Sequence, residues 1–155
     1  MTLRFPYLDE ILPGPPPPTL PASARHRWRP LVPVVIHGPR GSVSYTQALV
    51  DPGADDTVFP MFAAVSLGIP LLPTTAHAMR WRGQQYVLRF GAVELELVDG
   101  TGNTLRWLAV IAFTAASVRY PLLGIGGCLE FLDVKFLGKA QALEAEPNSS
   151  FPVTP

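Results

Sequence analysis

The sequence predicts a mostly β domain with short helices, and three observations carry that prediction. Apolar and β-branched residues come in short runs bounded by turn residues, with 18 prolines and 13 glycines among 155 residues. Several runs alternate with polar residues at period two, most cleanly Val93-Glu94-Leu95-Glu96-Leu97. One stretch, residues 60–67, opens on a proline and is followed by Gly68, the asymmetry of a short helix. A 48% hydrophobic content at this length is enough for one domain with its own core.

Residues 1–30 read as a proline-rich arm. Nine of the prolines fall within the first 33 residues, Pro15 to Pro18 consecutively, which excludes helix and interior strand. The arm is either a solvated extended tail or a segment packed over its own domain or a partner; Phe5, Tyr7, Leu8, Ile11 and Leu12 favour packing.

The next elements are hairpins. Leu31 through His37 and Ser42 through Val50 flank the turn Gly38-Pro39-Arg40-Gly41, and the second strand ends at Asp51. In residues 77–90, Met79 and Trp81 alternate with Arg80 and Arg82. After Gly83-Gln84, Tyr86, Leu88 and Phe90 resume at period two, so this is a second hairpin. The alternation around Glu94 and Glu96 puts both on a solvated face and not in a catalytic pair. Asp99-Gly100-Thr101-Gly102-Asn103 is a turn, and residues 105–113 form a largely apolar strand suited to a sheet interior. From Gly138 the chain reads as a frayed tail, so the expected organisation is arm 1–30, domain 31–138 and flexible tail 139–155.

Composition narrows the partners. Twelve basic against twelve acidic side chains give no net field for phosphate or anionic lipid, so neither nucleic acid nor membrane is expected. The single cysteine, Cys128, excludes an internal disulfide and reads as buried filler in a protein of a reducing, cytoplasmic compartment. His26, His37 and His77 are scattered without helical metal-ligand spacing, so no metal and no cofactor is assigned. The N-terminus lacks an apolar targeting core, and the longest apolar stretch, around residues 107–116, is too short to cross a bilayer.

The chemistry points to Ala48-Leu49-Val50-Asp51-Pro52-Gly53-Ala54-Asp55-Asp56-Thr57-Val58-Phe59-Pro60, where an apolar strand delivers one aspartate to a glycine turn. This segment resembles the active-site stretch of retropepsin-like aspartic proteases, an apolar strand followed by Asp-Thr/Ser-Gly-Ala. A second point of resemblance is Leu122-Leu123-Gly124, similar to the apolar-apolar-Gly element that passes beside the catalytic loop in that family. A short helix over 127–132 and a final strand over 134–136 are then expected. The ordered resemblance spans residues 31–136.

The resemblance implies a closed β-barrel, the acid-protease half, and a homodimeric aspartic endopeptidase acting on peptide or protein substrate. Two aspartates close together cannot both ionise, so one acts as acid and the other as base toward water. With one motif per chain, the second Asp51 comes from a partner across a two-fold axis. Asp51 is then the catalytic residue and Pro52, Gly53 and Ala54 its loop. Asp55 and Asp56 meet the peptide or cap the following helix, and Trp81, Arg82, Gly83 and Gln84 form either the flap over substrate or an ordinary surface hairpin. Two positions depart from the family: Pro52 replaces the Thr or Ser whose hydroxyl bonds across the dimer axis, and Ile125 replaces the arginine of retroviral members. These departures frame an alternative, a catalytically weak or inactive domain that binds peptide or dimerises.

Overall fold

A computed structural model describes residues 1–73 and 77–152. In chain order the strands begin with β1 (Leu3–Pro6), β2 (Leu8–Ile11), β3 (His26–Arg29), β4 (Leu31–Gly38), β5 (Gly41–Val50) and β6 (Val58–Pro60). Helix α1 (Met61–Leu67) comes next, then β7 (Ala78–Trp81), β8 (Gln84–Val87), β9 (Arg89–Val98) and β10 (Thr104–Thr114). The chain ends with β11 (Leu122–Leu123), a 3₁₀ turn at Leu129–Phe131, β12 (Leu132–Leu137) and β13 (Ala142–Pro147).

Six strands close into a barrel in the order β10-β6-β11-β5-β4-β9. Its main walls are the hairpins β4-β5 and β9-β10, the latter paired from Thr104↔Val98 to Phe113↔Arg89. Alternation decides which side chains enter. On β9, Val93, Leu95 and Leu97 are buried while Glu94 and Glu96 face outward, where Glu96 meets His37 at 2.7 Å and Glu94 pairs with Arg106. On β10, Leu105, Trp107, Ala109 and Ile111 fill the interior, and Trp107 donates from Nε1 to the Gly127 carbonyl at 2.9 Å. Such a donor is satisfied without loosening the core, as a buried indole requires. Cys128 is fully buried, and burial pushes its thiol up to about 12.

Pro60 occupies the N-cap of α1 in extended geometry, and Gly68 ends the helix at φ 62, ψ 34, the left-handed stop that glycine adopts at least cost. No helix among the described residues is long and apolar enough to cross a membrane.

Of the two forms weighed for the arm the packed one is observed, whereas the C-terminal tail differs from expectation. The arm is packed: β1 pairs with β13, burying Leu3 and Phe5, and β2 pairs with β3. Its prolines keep it on a sheet edge, which is why a proline-rich segment can hold a strand at all. The frayed tail is a correction. Residues 142–147 form the central strand of β1-β13-β12, with Ala142, Leu143 and Ala145 buried. The turn that returns the chain contains Gly138 but carries its left-handed residue at Gln141, φ 48, so the glycine does not mark that position. The expected helix over 127–132 is a single 3₁₀ turn, and the expected strand over 134–136 extends to Leu132–Leu137.

Candidate active site

Strand β5 carries the apolar residues Ala48, Leu49 and Val50 into the barrel wall and releases the chain at Asp51. Pro52 sits next, in a tight turn closed by Ala54 N–H to Asp51 carbonyl at 3.1 Å, a position suited to proline's fixed φ. The Gly53 N–H donates to Asp51 Oδ1 at 2.9 Å. A Cβ at Gly53 would stand 3.1 Å from that same oxygen, so glycine keeps the carboxylate uncrowded.

A second segment braces this turn. Strand β11 lies parallel to the end of β5, and Asp51 donates its N–H to the Leu123 carbonyl at 3.1 Å. Beyond it the two loops run side by side. Ile125 N–H bonds Ala54 carbonyl at 2.9 Å, Gly126 N–H bonds Asp55 carbonyl at 2.8 Å, and Thr57 N–H bonds Gly126 carbonyl at 2.9 Å. This ladder of backbone bonds holds Asp51 to one geometry.

The hairpin β7-β8 and the turn line one groove of about 390 Å³. Asp51, Gly53, Ala54, Asp55 and Asp56 form one wall, Val58, Leu88 and Leu122 supply apolar surface, and Ala78, Met79, Arg80 and Trp81 come from the hairpin. The hairpin turns at Arg82, φ 51, and Gly83, φ 80, both left-handed as in a two-residue primed turn. Trp81 Nε1 is buried and has no hydrogen-bond acceptor among the described residues.

Of the residues singled out in the sequence, Asp51, Gly53, Ala54, Asp55, Asp56 and Trp81 come together at this groove. Pro52 is exposed on the outside of the turn, and Arg82, Gly83 and Gln84 sit exposed at the hairpin tip, off the groove lining. Arg82 stands 6.0 Å from the Trp81 ring centroid, so it reaches the groove only through that ring. Helix α1 has no side-chain cap bond, which removes the capping role weighed for Asp55 and Asp56. Sequence reading missed Val58, Met79, Arg80, Leu88 and Leu122 as lining; the period-two pattern of the hairpin held the signal for Met79 and Leu88.

Burial raises the Asp56 carboxyl above the ordinary aspartate value, the charge of Asp55 adds to that, and His77 opposes it. The groove therefore holds three carboxylates, that of Asp56 raised by burial, beside apolar surface. Its carboxylates can accept from a ligand's donors and its apolar wall can take a hydrophobic group. Among the described residues no group of three His, Cys, Asp or Glu side chains is gathered to hold a metal. Compared with protein-family models and with curated proteins, the chain matches none.

Proposed function

We propose that this chain is a retropepsin-like aspartic endopeptidase that works as a homodimer. The observation that carries the reading is Asp51, held through Oδ1 by the Gly53 N–H in a groove that the β7-β8 hairpin also lines, and braced by Leu122-Leu123-Gly124. A lone carboxylate cannot supply both acid and base, so the reading requires a second Asp51 from a partner copy. The exposed position of Pro52 and the 44% exposure of Ile125 leave this edge of the loop free to meet such a copy.

In the proposed reaction one Asp51 carboxylate takes a proton from water as it attacks the scissile carbonyl. The protonated Asp51 of the other chain donates to the carbonyl oxygen. Activity is acid-favoured, because the shared proton is lost as pH rises through the upper apparent pKa of the dyad. The test is cleavage of an unfolded polypeptide at acid pH by wild type and Asp51→Asn, with a statine-type mimic added to wild type. Loss of cleavage in both arms supports the assignment, and cleavage that survives Asp51→Asn sinks it.

One observation favours a second reading, a peptide-binding or dimerisation domain without turnover. Pro52 has neither hydroxyl nor N–H, so the bond that braces the axis in active relatives cannot form. Peptide binding without cleavage, by a protein that dimerises, is the result that selects it.

A further inference from the structure

Glu10 lies on β2, away from the groove, with its side chain 10% exposed. One carboxylate oxygen accepts from the Tyr120 hydroxyl at 2.7 Å and lies 3.5 Å from Arg29; the other accepts from Arg119 at 2.8 Å. Both guanidinium groups also stand over the Tyr120 ring, Arg119 at 5.2 Å and Arg29 at 5.9 Å from its centroid. A single carboxylate thus ties β2 to β3 and to the loop between β10 and β11. The half-buried Tyr120 bond to the carboxylate is the short, geometry-holding one, and the exposed Arg119 pair adds less.

Two of these partners each precede a proline that seats β5. Arg29 precedes Pro30, whose carbonyl accepts the Val50 N–H at 3.0 Å. Tyr120 precedes Pro121, whose carbonyl accepts the Leu49 N–H at 2.8 Å. These are the last two amides of β5 before Asp51. Proline's fixed φ removes one of the two rotations between each carbonyl and the residue before it.

We propose that Glu10 is a positioning residue for Asp51: it locks Arg29 and Tyr120 together and so fixes the two proline carbonyls that seat the strand entering the catalytic turn. Its effect on turnover rests on the peptidase reading, whereas its effect on the strand end does not. Burial works to raise the Glu10 carboxyl, but the Tyr120 hydroxyl and the Arg29 and Arg119 charges outweigh it and bring it below the ordinary glutamate value. The lock therefore stays charged in mild acid, where an aspartate dyad operates.

The experiment is residue-resolved amide exchange on the full chain, with steady-state kinetics, for wild type, Glu10→Gln and Tyr120→Phe. Both variants keep the shape of the side chain, and Tyr120→Phe serves should Glu10→Gln fail to fold. Exchange at Leu49, Val50 and Asp51 is expected to quicken about ten-fold while Leu95 and Leu97 in β9 hold, and kcat to fall with KM steady. Uniform quickening, or none, overturns the proposal, as does an active enzyme whose kcat ignores both variants. If wild type cleaves nothing, the peptidase reading fails and the exchange pattern alone decides the positioning role.

Discussion

Gly124 passes so close to the Asp51 turn that a Cβ built on it would stand 2.2 Å from the Asp56 carbonyl oxygen and 2.7 Å from that of Ala54. Both neighbours are backbone atoms set in the braced loop, so neither can yield cheaply.

Gly124→Ala is therefore expected to destabilise the fold by about 1 to 3 kcal/mol or more, and to displace the turn that carries Asp51. Gly138→Ala is the control, because nothing lies within 4 Å of a Cβ there. Urea unfolding of the two variants beside wild type is the measurement. Equal midpoints would show that the loops part easily and that Gly124 does not brace the site.

The Asp51 turn and the hairpins were legible because their signals are local. Glycine, proline and alternation mark β4-β5, β7-β8 and β9-β10, and the resemblance of the Asp51 segment pointed to residues that line the groove. The chain ends were illegible for a physical reason: β1 and β13 come from opposite termini, paired from Leu3↔Ala145 to Pro6↔Ala142, and stabilise each other only once they meet. Their burial comes from packing, which overrides the weak strand preference of Ala, Leu and Glu in residues 142–147. Glu10 was equally hidden, since its partners Arg119 and Tyr120 lie over a hundred residues away.

Two aspartates should respond to acid with opposite sign. Asp99 accepts from the Thr101 hydroxyl at 2.7 Å and from the Thr101 and Asn103 amides, which hold its carboxyl at about 2. Its stabilisation is present above the unfolded aspartate pKa and is lost as pH falls toward 2, so Asp99→Asn should lower the urea midpoint at pH 7 but not near pH 2. Asp56 is raised by burial, so its charge opposes folding above the folded pKa, and Asp56→Asn should raise the midpoint at pH 7 and leave it unchanged in acid. A shift of the same sign in both variants at pH 7 would contradict these environments.

Trp81 offers an indole N–H with no acceptor among the described residues, at the edge of the groove. That N–H is closed off in the structure, so a peptide carbonyl reaches it only where the β7-β8 hairpin shifts on binding. Trp81→Phe keeps an aromatic roof and removes only the donor and one ring, so stability should change by less than about 1.5 kcal/mol while KM rises several-fold. Kinetics on one peptide, paired with thermal unfolding, separates the two effects. An unchanged KM would mean that the N–H stays unpaired with substrate bound.

Pro52 is where the proposed dimer is most open to test. Pro52→Thr restores a hydroxyl and an N–H on each side of the axis, allowing two reciprocal hydrogen bonds that proline cannot make. At roughly 0.5 to 1.5 kcal/mol net for each bond, the dimer dissociation constant should fall by about one to two powers of ten. Activity at low protein concentration should rise with it. Proline also restricts the unfolded chain, so its loss costs the monomer up to about 1 kcal/mol, and the gain should show in dimerisation more than in melting temperature. Sedimentation of wild type, Pro52→Thr and Pro52→Val over a concentration series is the measurement, valine restoring the N–H without the hydroxyl. If threonine and valine dissociate alike, the hydroxyl meets no partner across an axis, and Asp51 does not sit at a retropepsin-like dyad.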